Sequence, residues 1–335
     1  MNPIGKIAAP YLIFVGDAQS EIDAKTGFGI AAWRNGDCLG QARMPGCRVD
    51  LGLPELSPQQ AAGRGARTLI IGIAPAGGAL PDSWIEPLAA ALAAGLDIAS
   101  GLHVRLESIP ALKAAADHFG RRLINVRHPR EPFSVATGAK RTGRRLLTVG
   151  TDCAVGKKYT ALAIHAALVS SGTPATFRAT GQTGILIGGG GIAVDAVVAD
   201  FVAGAAEALS PSAAADHWDV IEGQGSLFHP AFGGVSLGLL HGSQPDVFVV
   251  CHEPTRKLLV GTSVPVPRIE DVMAMTAGLG SVTNSRIRCG GIAVNTARLE
   301  ASVARAMLEE LQLRLGVPCT DPIRFGVECI VNELA

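Results

Sequence analysis

The sequence carries no excess of either charge. Its 29 basic and 29 acidic residues cancel to a formal net charge of zero, so the broad electrostatic footprint of a nucleic-acid or anionic-membrane partner is absent. Charged residues are also few, at 17%, whereas 48% of the chain is hydrophobic. That balance excludes a disordered chain and is enough to fill a large core. No Cys-x-x-Cys pair occurs among the seven cysteines, at positions 38, 47, 153, 251, 289, 319 and 329. An odd, scattered set in a long chain argues for reduced thiols in the cytoplasm, against a disulfide framework and against a zinc finger. A membrane span is not expected either, because the long apolar tract after Gly184 is interrupted by a glycine run and by Asp195 and Asp200. The apolar start Ala8–Gly16 is short, broken by Pro10 and followed by Asp17 where a cleavage site would need small residues. It reads as a first strand.

What is present is room for roughly two domains and an alternation of short β-like runs with helical runs, the pattern of parallel sheets flanked by helices. In the first half the reading gives strands at 68–73, 96–99 and 123–127, with helices at Pro81–Ala94 and Pro110–Phe119. A tract with Pro129, Pro132, Gly138 and Gly143 follows. Its cations Arg127, Arg130, Lys140, Arg141, Arg144 and Arg145 read as a solvated connector. The expected organisation is an N-terminal Rossmann-like α/β domain over 1–128, a linker over 129–144 and a P-loop NTPase-like parallel-sheet α/β domain over 145–335.

The most informative stretch opens that second domain. Gly150-Thr-Asp-Cys-Ala-Val-Gly-Lys157 follows the apolar run 145–149 and precedes the helical run 161–169. A phosphate loop needs glycines that turn backbone N–H groups inward, a helix N-terminus and a lysine, and these are all here. The usual Ser or Thr after the lysine, which ligates magnesium, is replaced by Lys158, and a charged ammonium cannot bind a metal. Thr160 has the nearest hydroxyl, rotated and displaced from that spot. The loop also has five residues between its glycines where four are usual. It reads as an anion site with two candidate cations and no obvious magnesium ligand.

Farther on, strands are expected at 175–180, 219–222, 246–251 and 291–295 and a helix at Leu299–Leu315, stopped by Gly316 and Pro318. The segment Gly181–Gly191 reads as a flexible loop with the character of a lid, and Val194–Leu209 as one amphipathic helix. Ligands of open α/β sheets gather at the carboxyl ends of strands, which here carry the phosphate loop, Arg178, Gln182, Glu222, His252 and Asn295.

The spacing Gly-Thr-Asp-x-x-Val-Gly-Lys, then Glu-Gly-x-Gly at a strand end, then Gly-Ile-Ala-Val-Asn is similar to the P-loop fold of dethiobiotin synthetase and its relatives. Over essentially the whole chain the sequence resembles the DgcN-type D-glutamate N-acetyltransferase family. Four segments carry the resemblance: Gly150–Cys153 with Gly156 and Lys157; Thr180–Gly184 with Asp195, Asp200 and Phe201; Glu222–Gly225; and Gly95–His103. Lys158 and Tyr159 depart from the apolar residue and Thr that the family pattern leads one to expect. The resemblance implies acetyl transfer from acetyl-CoA to the amine of D-glutamate.

On that basis Gly150, Thr151, Asp152, Cys153, Gly156, Lys157, Lys158 and Thr160 are assigned to acetyl-CoA, with no metal. Coenzyme A carries phosphates but needs no γ-phosphate transfer, so a loop without a magnesium hydroxyl suits it. Glu222 is the first candidate base, Asp195 the second and Asp152 the third, with His252 a further possibility. The two carboxylates of glutamate call for arginines, and Arg178 and Arg127 are the candidates, assisted by Gln182 and Thr183. Cys153, near a helix N-terminus and Lys157, is expected to favour its thiolate, although direct attack by the amine is the simpler route. Two other readings stay open: an ATP-dependent ligase related to dethiobiotin synthetase, and a non-catalytic nucleotide-sensing module. A homodimer is expected from the Ala- and Gly-rich helix faces.

Overall fold

A computed structural model describes residues 7–21, 23–73, 79–128 and 132–334. Pro129 and Arg130 of the expected linker lie outside them. The first elements in chain order are β1 (Tyr11–Gly16), α1 (Lys25–Trp33), β2 (Cys38–Arg43), α2 (Pro58–Gly63), β3 (Thr68–Ile71), α3 (Ile85–Ala93), β4 (Asp97–Ser100), α4 (Pro110–Phe119) and β5 (Leu123–Asn125). Then come β6 (Arg144–Gly150), α5 (Lys157–Ser170), β7 (Ala175–Arg178), α6 (Gln182–Gly188), α7 (Val202–Leu209) and β8 (Trp218–Ile221). The chain ends with α8 (Gly233–Ser243), β9 (Val247–His252), α9 (Ile269–Gly280), β10 (Arg288–Val294), α10 (Ala301–Leu315), β11 (Cys319–Thr320) and α11 (Glu328–Asn332).

Two parallel sheets result, one in the order β2-β1-β3-β4-β5 and the other β11-β10-β9-β6-β8-β7. The α/β reading of both halves therefore holds. Contacts divide the chain into one unit of Met1–Glu131 with Gln182–Ala196 and a second of Pro132–Gly181 with Val197–Ala335. Gln182–Ala196 thus lies within the expected span 145–335 in sequence but groups in space with the first unit. Among the described residues no helix is long and apolar enough to cross a membrane.

Burial in the first sheet is greatest in its three middle strands. All residues of β1, β3 and β4 are buried. In the second unit the period of two is visible as a division of labour. Leu146, Val247, Val249 and Cys251 pack with Ala161, Ile164 and Leu168 of α5 and Ile330 of α11. Their neighbours face the other way: Leu147 meets Leu239 and Leu240 of α8, and Phe248 and Val250 meet Ile269 and Val272 of α9. Each fully buried side chain of this size contributes about 1.5–3 kcal/mol.

Helix ends follow their local signals. Helix α4 starts with Pro110 in its first turn and stops at Gly120 in a left-handed conformation, and α10 stops the same way at Gly316. From β6 the chain passes through α5 to β7 and β8 on one side, then crosses to β9, β10 and β11 on the other. This reversal leaves the carboxyl end of β6 as the crevice of the sheet, and the phosphate loop sits there.

Three expectations are corrected. The segment read as a flexible lid is helix α6, in which Thr183, Gly184, Ile185, Leu186 and Ile187 are buried. It packs on α1, with the Thr183 and Thr26 hydroxyls 2.9 Å apart and Arg34 Nη1 donating to the Ile187 carbonyl at 2.9 Å. The apolar Ile-Leu-Ile run outweighs the glycines around it. The single helix over Val194–Leu209 is instead two short 3-10 turns, Val194–Ala196 and Ala199–Phe201, followed by α7. Val198 is extended (φ −59°, ψ 139°) and breaks the run. The basic tract, read as solvated, is partly buried. Arg141 donates through Nη1 to the carbonyls of Glu207 and Ser210 and through Nη2 to those of Gly242 and Ser243, the carboxyl ends of α7 and α8. A cation there complements both helix dipoles, while burial lowers its pKa to about 10. Arg145 is also buried, its Nε donating to the Ser210 hydroxyl, which donates in turn to Asp219.

Candidate active site

The phosphate loop is built from two left-handed residues. Gly156, at φ +111°, caps the start of α5, a conformation that glycine adopts without penalty. Ala154, at φ +54°, adopts the same region at a cost of about 1–2 kcal/mol. Left-handed residues alternating along a loop are the backbone pattern of an anion-binding nest. Gly150 closes the other end, since a Cβ there would meet the Val155 side chain at 2.9 Å.

Lys157 is buried and donates from Nζ to the Asp152 carbonyl at 2.7 Å. Burial lowers its pKa, opposed by Cys251, Cys153, Asp152 and Glu222. Lys158 diverges from it, with Nζ 4.4 Å from the centroid of the Tyr159 ring, as expected for adjacent helical residues about 100° apart. Thr160 does not supply the missing hydroxyl to the nest, because it is buried and accepts a hydrogen bond from the Cys251 thiol at 3.4 Å. Thr151 is held by its N–H on the Cys251 carbonyl at 3.0 Å, and its hydroxyl lies 3.1 Å from His252 Nδ1. Burial lowers the His252 pKa, so the ring is kept neutral.

Asp152 is fully buried and fully engaged. Oδ1 accepts from the Cys153 N–H at 2.6 Å, while Oδ2 accepts from Arg256 Nη1 at 2.7 Å and the Val260 N–H at 2.9 Å. Arg256 also donates to the Cys153 carbonyl at 2.6 Å. These bonds tie the loop to the 253–260 segment. Cys153 departs from expectation, because burial raises its thiol above the ordinary value; Lys157 pulls the other way and Asp152 adds to the rise. Desolvation outweighs the neighbouring cation, and the thiol keeps its proton.

Asp152, Cys153 and His229 bring ligand-type atoms within 4.8 Å of one another. The Asp152 carboxylate and the His229 ring are already hydrogen-bonded. His229 Nε2 donates to the Val260 carbonyl at 2.9 Å and Nδ1 accepts from the Ala231 N–H at 3.2 Å. This cluster is a hydrogen-bonded brace for the loop, and it fits a metal poorly.

Glu222 directly follows β8 beside the loop and is buried. Its Oε2 accepts from the N–H groups of Thr180 at 3.0 Å and Gly181 at 3.2 Å, and Thr180 Oγ1 donates back to the Glu222 carbonyl at 2.7 Å. Burial raises its carboxyl above the ordinary value, opposed by Lys158, the two N–H donors and Lys157. The next residue must be glycine, since a Cβ on Gly223 would lie 1.6 Å from the Thr148 carbonyl oxygen. That close approach presses the strand end against the loop, where the Lys157 side chain passes 3.1 Å from the same point.

On the far side of α5 a cavity of about 250 Å³ opens, lined by Val155, Gly156, Tyr159 and Thr160, by Asn295 at the end of β10 and by the Asp321–Arg324 turn after β11. Its walls are mixed apolar and polar, and it adjoins the nest through Gly156. Sequence reasoning placed Asn295 at this edge but missed Arg256, His229, Asp321 and Arg324, which lie on irregular segments without a motif.

The remaining expected site residues fall elsewhere. Arg178 pairs with Asp219 at 2.7 Å. Asp219 lies two residues before Ile221, the register partner of Arg178, so the guanidinium reaches back from the carboxyl edge of the sheet. In the first unit Arg127 and Gln182 meet at Gly101, and Asp195 pairs with Arg127. Arg127 is buried, donates from Nε to the Gly101 carbonyl at 3.1 Å and pairs through Nη1 with Asp195. The Gln182 side chain fills the space where a Gly101 Cβ would stand.

Comparison with known proteins gives two family matches along the chain. Residues 134–331 match the model described as a domain of unknown function (DUF1611_C), P-loop domain, and residues 42–129 match the DUF1611_N Rossmann-like domain. The chain belongs to the DUF1611 family. A DUF1611 protein of known crystal structure, from Anabaena variabilis, is 32% identical and superposes with a TM-score of 0.86 over 97% of this chain and 99% of its own. Two curated relatives are each named D-glutamate N-acetyltransferase. One, from Tritonibacter scottomollicae, is 47% identical, and the other, from a Pseudoalteromonas species, is 44% identical; each match covers 98% of this chain and 99% of the relative.

Proposed function

We propose that this DUF1611 protein is an acyltransferase that moves the acetyl group of acetyl-CoA to the amine of D-glutamate. The observation that carries the reading is the make-up of the phosphate loop. It has a nest and a buried lysine, but Lys158 stands where a magnesium-binding hydroxyl belongs and the Thr160 hydroxyl is turned to Cys251. Such a loop suits the diphosphate of coenzyme A, which is held and not cleaved. The names of the two full-length relatives supply the acceptor and the group transferred.

In this reading Gly150–Gly156 and Lys157 hold the diphosphate, and the neighbouring cavity takes the adenosine. The amine nitrogen of D-glutamate attacks the thioester carbonyl, the C–S bond breaks and coenzyme A leaves as its thiol. Glu222 receives the amine proton, a role suited to a carboxylate whose pKa is raised by burial. Asp152 shapes the loop. Arg178, at the carboxyl edge of the same sheet, is the assigned anchor for a substrate carboxylate. Seven cysteines without a disulfide support a reducing, cytoplasmic setting. A homodimer belongs to the same reading and is measured by sedimentation equilibrium.

One assay decides. The purified protein is incubated with acetyl-CoA and either D- or L-glutamate while free thiol is followed, and in parallel with ATP and magnesium while ADP is followed. Thiol release that requires the D-isomer is the expected result. No thiol with either isomer overturns the proposal, and ADP release coupled to an acceptor would favour a ligase.

A further inference from the structure

The cavity beside the loop is lined at one end by Arg324, which has no acidic partner among the described residues. Its wall is rigid. Asp321 Oδ2 accepts from the N–H and hydroxyl of Thr296 at 2.8 and 2.6 Å, and Oδ1 accepts from the N–H groups of Ile323 and Arg324 at 3.0 and 3.1 Å. Asp321 is therefore saturated and braces the turn. Arg324 is fixed as well, its Nη1 donating to the carbonyls of Thr296 and Leu299, each at 2.9 Å. Among the described residues its Nε and Nη2 make no hydrogen bond, which leaves one edge of a positioned guanidinium available.

A second cation stands nearby. The guanidiniums of Arg305 and Arg324 lie 4.1 and 5.5 Å from the centroid of the same ring, Phe325. Neither forms an ion pair among the described residues, whereas Arg43, Arg122, Arg178, Arg256 and Arg268 all do. Two cations on one ring concentrate positive charge at this edge of the cavity, and a dianion offsets it. A phosphate monoester offers the charge and the oxygens that arginine forks recognise.

We infer that Arg324, with Arg305 behind it, reads the 3′-phosphate on the ribose of the adenosine held in this cavity. This rests on the coenzyme A reading above and deepens it. The nest takes the 5′-diphosphate, which coenzyme A shares with ADP and ATP; the arginine pair takes the one charged group that those nucleotides lack. The pair is thus a specificity device for the donor.

The test compares ligands that differ only in that phosphate. Isothermal titration of the full-length protein with coenzyme A and with 3′-dephospho-coenzyme A is expected to show about tenfold or more preference for the former. In Arg324→Ala the preference falls below about threefold, with the dephospho-coenzyme A affinity within about twofold of the parent. Arg305→Ala, which holds no loop carbonyl among the described residues, narrows the preference partially and serves if Arg324→Ala misfolds. Equal affinities in the parent protein, or an undiminished preference in both variants, overturn the inference. Failure of both coenzyme forms to bind would instead sink the donor assignment. In that event adenosine 3′,5′-bisphosphate against AMP reads the arginines by themselves, and equal affinity for that pair overturns the inference too.

Discussion

Arg256 and Asp152 form an ion pair, Nη1 to Oδ2 at 2.7 Å, that locks the phosphate loop to the segment following β9. Asp152 is fully buried while Arg256 keeps a solvent edge, so removing the arginine strands a carboxylate inside the protein. Arg256→Met is expected to destabilise the fold by about 3 kcal/mol or more, read from urea unfolding. Asp152→Asn, which keeps the shape and some acceptors, should cost less. The double variant should cost less than the sum of the two, and strict additivity would show that the pair does not act as a unit.

The pH dependence of turnover follows from Glu222. Its carboxyl is raised above the ordinary value by burial, so the ionised, proton-accepting form gains ground only above the usual carboxylate range. The acidic limb of the kcat profile is expected to sit above that range and to vanish with most of the activity in Glu222→Gln. Stability has the opposite sign. A group whose pKa is raised on folding lends stability that is complete below the unfolded value and lost as pH rises through the folded one. Chemical denaturation between pH 4 and 8 should show this fall in the parent protein and a flatter curve in Glu222→Gln. A limb at the ordinary carboxylate value in the parent would remove Glu222 as the base.

Cys153 tests the route of transfer. Its thiol is raised by burial despite Lys157, so little thiolate exists to attack acetyl-CoA. Cys153→Ser is expected to keep turnover within about twofold, since a loop-filling side chain of similar size replaces it. Loss of activity together with a trapped acetyl group on the parent protein would establish a covalent path.

Gly223→Ala is expected to be severe. The added methyl would stand 1.6 Å from the Thr148 carbonyl oxygen, and both backbones belong to paired central strands or their ends. Destabilisation of about 3 kcal/mol or more is expected, measured by thermal unfolding. A variant that melts with the parent would mean that β6 and the end of β8 can separate without cost.

The elements whose signals are local were legible in the sequence. Pro110 and Gly120 mark both ends of α4, and the glycines and lysine of the phosphate loop announce it between a strand and a helix. Segments decided by tertiary burial were not. Ile185, Leu186 and Ile187 sit among glycines and become helical because they are buried with α1. The regular apolar spacing from Val194 hid the extended Val198, which is 69% exposed. At the site, Lys157, Asp152 and Glu222 were found by their place at strand ends. The braces Arg256, His229 and Asp321 were missed because each acts through a hydrogen bond to a distant segment, and spacing does not encode that. The ionisation of Cys153 was misjudged for the complementary reason: Lys157 stands four residues on in sequence, but the burial of the thiol is visible only in the fold.

Helix α6 also sets an order of assembly during synthesis. Its residues complete the first unit, yet they leave the ribosome after β6, α5 and β7 have been made. The amino-terminal unit therefore cannot bury Ile185–Ile187 until more than half of the polypeptide has emerged, and nascent chains halted before that point should be the ones that chaperones hold. A fragment ending near residue 131 would lack this helix, and one beginning near 132 would carry it with its apolar face uncovered. Dissecting the protein into independently expressed halves thus requires grafting the 182–196 segment onto the first half and rejoining 181 to 197 in the second, not a single cut at the connector.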